Sequence, residues 1–160
     1  ECDGVGRTPA HSAVSCDQAP GPQEVIVRMT AANPQTARGS LGDAIVDTDA
    51  RRGTLATVYA DRVEALATLA RSDLGRLLGR TVAHELGHLL LGTADHSASG
   101  LMRAAWSAED LRRDMKADWT LSRSQAANMR HQLIVRAHRV ALPPALALAT
   151  EAGPRPSASY

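Results

Sequence analysis

Aromatic residues are almost absent from this chain, with no phenylalanine, two tryptophans and two tyrosines in 160 residues. Its core must therefore be built from Leu, Val, Ile and Ala, without the large area that each ring buries. Hydrophobic residues still make up 44% of the sequence, enough for a real core, and the length is that of one domain. An excess of charge of either sign is also missing. The formal net charge is +1, and no Lys/Arg-rich run is interleaved with aromatics, which argues against a surface that tracks nucleic-acid phosphates. No apolar run approaches the roughly 20 residues needed to span a bilayer. The chain starts at Glu1 with neither a Met nor a signal-peptide pattern, as expected of a processed or trimmed N-terminus, and the expected location is secreted or periplasmic.

Cysteine is scarce too. Cys2 and Cys16 both lie near the start, away from the histidine-rich segment, and are poor metal-ligand candidates. A disulfide between them would close a loop of about 15 residues, contribute on the order of 3 kcal/mol in the chain-entropy model, and suit an oxidising compartment. Two free thiols are the alternative.

Residues 1–22 carry Gly, Pro and Ser with little apolar periodicity and read as an irregular segment. Branched residues from Glu24 to Thr30 predict a strand, Leu41 to Val46 a weaker one, and Thr54 to Tyr59 a third. Asp61 to Ala70 fits a short helix. Ser72 is the expected N-cap of a long helix through Leu91, with Asp73 near the positive end of its dipole and Gly92 at its left-handed end. Leu74, Leu77, Leu78, Val82, Leu86, Leu89 and Leu90 recur at helical spacing and predict a core-facing stripe. Ser107 to Asp110 (SAED) resembles a capping box ahead of another short helix. Ser122 or Ser124 can cap a last helix to about Val140, with Ala126, Met129, Leu133 and Ala137 on one side, ended by Pro143 and Pro144. The expected organisation is one domain over 1–141 and a flexible tail over 142–160.

The most specific pattern is HELGHLLLGTADH, from His84 to His96. His84 and His88 are one helical turn apart on one helix face, so both imidazoles can meet one metal ion, with Glu85 offset towards water. Their expected side of the helix is opposite the leucine stripe. His11, His131 and His138 have no such partner pattern, and Trp106 reads as a packing anchor.

With His96 downstream and Gly100 to Met102 (GLM) after it, the segment resembles the metzincin clan of zinc metallopeptidases, whose signature is HExxHxxGxxH followed by a Met-containing turn. The spacing departs from that signature. The clan glycine and third ligand come three and six residues after the second histidine, where this chain has Leu91 and Ala94; Gly92 and His96 come four and eight residues after it. His96 is the favoured third ligand, Asp95 an alternative, and Glu109 a more distant one, as in thermolysin-like enzymes.

The resemblance implies an α+β, zincin-like fold in which a small mixed β-sheet packs against an active-site helix and a C-terminal helix. It implies one catalytic Zn2+, Met102 in the Met turn, and Leu41 to Val46 as the antiparallel edge strand that pairs with extended substrate. The clan's usual long helix near its start is not found here. The expected activity is peptide-bond hydrolysis with Glu85 as general base, by a monomer acting on peptide or protein substrates. The alternative is a non-catalytic metal-binding or protein-interaction module that keeps the fold.

Overall fold

The structure is a computed structural model and describes Gly21 and residues 24–141. Cys2, Cys16, His11 and the 142–160 tail lie outside the described residues. Within them the chain is α+β, with a three-stranded mixed sheet and four α-helices.

The strands are β1 (Ile26–Thr30), β2 (Gly42–Asp47) and β3 (Arg52–Tyr59). β3 is central, pairing parallel with β1 (Ile26 opposite Leu55) and antiparallel with β2 (Ala44 opposite Ala56), so β2 is an edge. A tight turn joins β2 to β3, where the Asp47 carboxylate accepts from the Ala50 amide at 2.8 Å. The predicted strands are thus all present, shifted by one or two residues at their ends.

β3 runs directly into α1 (Ala60–Ala70), and α2 (Leu74–Leu91) lies across β3 and β2. Ala67 and Ala70 of α1 are buried, small enough for α1 to approach its neighbours closely. Val58, Val63, Leu77 and Leu111 complete this core, and Leu41, Leu66 and Trp106 pack around it. The N-cap of α2 is Asp73, whose carboxylate accepts from the Arg76 amide at 2.7 Å, and not Ser72 as expected. Both residue types cap well, and the chain places Ser72 in the turn after α1, where its amide donates to Ala67 O.

Two further helices follow, α3 (Ala108–Arg113) and α4 (Arg123–Ala141), with a 3-10 turn at Lys116–Trp119 between them. The Ser107–Asp110 capping box is formed in both directions. At α4, the Ser122 hydroxyl accepts from the Gln125 amide while the Gln125 side chain accepts from the Ser122 amide. α4 packs along α2 and reaches the sheet through Arg136, which donates to Gly53 O and Leu89 O, each at 2.9 Å. The expected apolar side of α4 holds in its first half, where Ala126 and Met129 are half-buried and Met129 packs against Leu91, Leu101 and Met102, and fails in its second, where Leu133 and Ala137 are exposed, Gln132 is buried and Arg136 makes the contact. No helix among the described residues is long and apolar enough to cross a membrane.

Candidate metal centre

α2 carries His84, Glu85 and His88 in its last two turns and ends at Gly92, whose φ of 64° is left-handed. An added Cβ at Gly92 would also overlap the Arg51 carbonyl, so glycine is required there on two counts. The chain then turns back over the helix, bringing His96 to the pair. One ring nitrogen from each of His84, His88 and His96 lies within 4.8 Å of the others, and these residues could hold a metal ion.

The helix does not divide into a leucine face and an open ligand face. His84, Glu85 and His88 are each 5–6% exposed, as buried as much of the core, and only His96 is open to solvent. Segment 93–106 roofs the ligand side. Within it, Ser97 N donates to Met102 O at 2.8 Å and Leu101 N donates to Thr120 O at 2.9 Å, closing a compact turn with Gly100 at φ 77°. Met102 is wholly buried with Leu91 and Leu101, next to Met129 of α4. Its sulfur sits against Gly87, where any Cβ would overlap it. The glycine of HELGH is therefore the notch that admits the methionine.

Main-chain carbonyls here also orient two of the rings. His84 Nδ1 lies 2.7 Å from Leu101 O and His88 Nδ1 lies 2.9 Å from Thr93 O. A carbonyl only accepts, so each Nδ1 carries the proton and each Nε2 presents a lone pair. The two Nε2 atoms are 3.1 Å apart. Two nitrogens on one tetrahedral metal ion with bonds of about 2.0–2.1 Å would stand about 3.3 Å apart, close to this spacing. Burial pushes the His84 pKa down to about 4 and lowers that of His88, keeping both rings in the neutral, ligating form.

The rival third ligands are engaged elsewhere. The Asp95 carboxylate accepts from the Thr93 hydroxyl at 2.8 Å, within its own turn. Glu109, on α3, pairs with Arg112 and Arg113, which hold its pKa low. Neither joins the histidines.

Glu85 borders a cleft of about 530 Å³ that runs past His84, His88 and His96, with the start of β2 on one wall and Arg103 to Trp106 on another. Burial raises its pKa to about 7, with a smaller contribution from the charge of Asp43. Its carboxylate lies against Gly42, where an added Cβ would come within 2.7 Å of both Glu85 Oε1 and Thr57 O. Trp106 stacks edge-on against His84 at 5.4 Å between centroids and lines the cleft. It also packs against the core, with Arg80 as its partner. The Arg80 guanidinium, 1% exposed, is sandwiched between Trp106 and Trp119 at 4.6 and 4.2 Å and donates to Asp118 O. Burial lowers its pKa.

Sequence reading missed Gly42, Gly87 and Arg80. Of these, only Gly87 left a local signal, since a glycine inside a helix weakens it unless something must approach closely. Comparison with protein-family models, curated proteins and solved structures finds no match for this chain.

Proposed function

We propose that this protein is a metzincin-like zinc metallopeptidase in which His84, His88 and His96 hold the ion and Glu85 is the general base. The observation that carries this reading is the convergence of three imidazoles beside a buried carboxylate on one cleft. A set of three nitrogens suits zinc and not magnesium or calcium, which take oxygen ligands. When bound, zinc supplies Lewis acidity at the scissile carbonyl and brings the pKa of water to about 7.

The chain's own residues do the rest. A Glu85 carboxylate oxygen takes the proton of the attacking water and passes it to the leaving amine nitrogen, as a general base that becomes a general acid. Main-chain carbonyls of Leu101 and Thr93 hold the two helix-borne rings in one tautomer, so their Nε2 atoms need no reorganisation. β2 is an antiparallel edge of the sheet, and its start lines the cleft beside Glu85, so an extended peptide can pair with its free side. Recognition of that kind reads backbone before side chains.

The deciding experiment compares wild-type with Glu85→Gln after loading with zinc. Both should carry one zinc per chain, and only wild-type should cleave a generic peptide pool. Hydrolysis by the zinc-loaded variant would overturn the assignment. Stoichiometric zinc with no turnover by wild-type would favour a metal-binding module that keeps the fold.

A further inference from the structure

Four charged side chains line the cleft beside the histidines: Arg38, Asp43, Glu85 and Arg103. Three of them are committed. Arg103 is paired with Asp110 at 2.5 Å, both about three-quarters buried, and Asp43 accepts from the Tyr59 hydroxyl. Glu85 is the base of the reading above. Arg38 is exposed and has no hydrogen bond or ion pair among the described residues.

The backbone around Arg38 is nonetheless held firmly. Arg62 of α1 donates to the carbonyls of Thr36 at 3.2 Å, Ala37, and Ser40 at 3.0 Å, on both sides of residue 38. Upstream, Asn33 Oδ1 accepts from the amides of Gln35 and Thr36, and Asp61 accepts from the Ala32 amide at 2.9 Å. A guanidinium without a partner thus stands on a pinned loop at the mouth of the cleft. Through Gly39 and Leu41 this loop leads directly to Gly42, which touches the Glu85 carboxylate.

We propose that Arg38 makes the cleft select peptides with a carboxylate within a few residues of the scissile bond, on the side facing the start of β2. This rests on the hydrolase reading for the location of the scissile bond. A guanidinium pairs with a carboxylate in bidentate fashion, and the same chemistry is offered by an Asp or Glu side chain or by a peptide's free C-terminus. At an exposed site the preference is modest, roughly twofold to fivefold in kcat/KM, and it shrinks with salt.

The test uses zinc-loaded protein and end-capped fluorogenic peptides in which one glutamate is moved position by position, each matched by its glutamine counterpart. A further pair differs only in a free or amidated C-terminus. Wild-type should favour glutamate at one or two adjacent positions, or the free terminus, and the two arms identify the source. Arg38→Ala should bring the acidic-to-neutral ratio to about one and Arg38→Glu should invert it, while Arg38→Lys retains part of it. Binding of the same peptides is measured alongside turnover. Cleavage with no acidic preference, or a preference untouched in Arg38→Ala, overturns this inference and leaves the hydrolase reading standing. Binding that prefers acidic peptides through Arg38 without cleavage supports carboxylate recognition and overturns the hydrolase reading. Neither cleavage nor preference overturns both.

Discussion

The Nε2 atoms of His84 and His88 stand 3.1 Å apart, each opposite a ring nitrogen tied to a main-chain carbonyl. Two lone pairs facing one point repel each other, and a cation placed between them replaces that repulsion with two bonds. Metal affinity should therefore depend on the chain that closes over the helix as much as on the helix itself.

The third ligand can be tested by removing each candidate. Because changes to groups that merely orient ligands cost about 10- to 100-fold in affinity, His96→Ala should weaken zinc binding by about 100-fold or more. Asp95→Asn should change it by less than about tenfold, through loss of order in the Thr93 turn. Competition against a chromophoric chelator measures both, and the reverse order would assign the role to Asp95.

Gly87 and Met102 should be coupled in stability. Gly87→Ala drives a methyl into the buried sulfur, and overpacking of this kind costs about 1–3 kcal/mol. Met102→Ala, which opens a cavity on its own, should relieve much of that strain, so the double variant should be more stable than the sum of the single costs allows. Urea denaturation of the four proteins gives the coupling directly, and strict additivity would contradict the contact.

At Gly42 the same reasoning concerns activity. Gly42→Ala places a methyl within 2.7 Å of Glu85 Oε1 and of a strand carbonyl that cannot move far, so the carboxylate has to shift. Since misplacing a reacting group by about 1 Å can cost 100-fold, kcat should fall by up to about that factor with zinc content unchanged. Zinc loss in parallel with activity would mean that the damage is to the fold.

Buried groups of the site give the metal-free protein opposing pH dependences. Glu85 has a folded pKa of about 7, above its unfolded value near 4.5, so the stability it contributes is complete below pH 4.5 and is lost as pH rises through 7. His84 is depressed to about 4 from 6.5, so its contribution is present above pH 6.5 and is lost as pH falls towards 4. Between pH 4.5 and 6.5 the Glu85 slope opposes that of His84, which His88, also lowered by burial, reinforces. In Glu85→Gln only the histidine slopes remain, and Tm measured in chelator should rise with pH up to about 6.5, level off there, and exceed wild-type by the widest margin above pH 7. Equal pH profiles for the two proteins would show that Glu85 is not desolvated.

Much of the local structure was legible because it is set by short-range chemistry. The i, i+4 histidines with a glutamate between them needed only helical periodicity, the left-handed Gly92 only its missing Cβ, and the Ser107 box only its spacing. The cap of α2 was misplaced by one residue because Ser72 and Asp73 offer the same local chemistry, and packing against the turn after α1 chose between them.

What periodicity could not supply was everything that arrives at the helix from elsewhere in the chain. Burial of the ligand face depends on segment 93–106 folding back, and the roles of Leu101 O, Thr93 O, Met102 and Gly42 depend on contacts between residues from 5 to 43 positions apart in sequence. The two extra residues before His96 illustrate the difference. Spacing alone left three candidates for the third ligand, whereas the folded turn commits Asp95 to Thr93 and brings the His96 ring to within 4.8 Å, centroid to centroid, of His88. Residue types and helical register define which groups can ligate a metal, while only the closed loop, held by main-chain hydrogen bonds and a buried methionine, determines which of them meet.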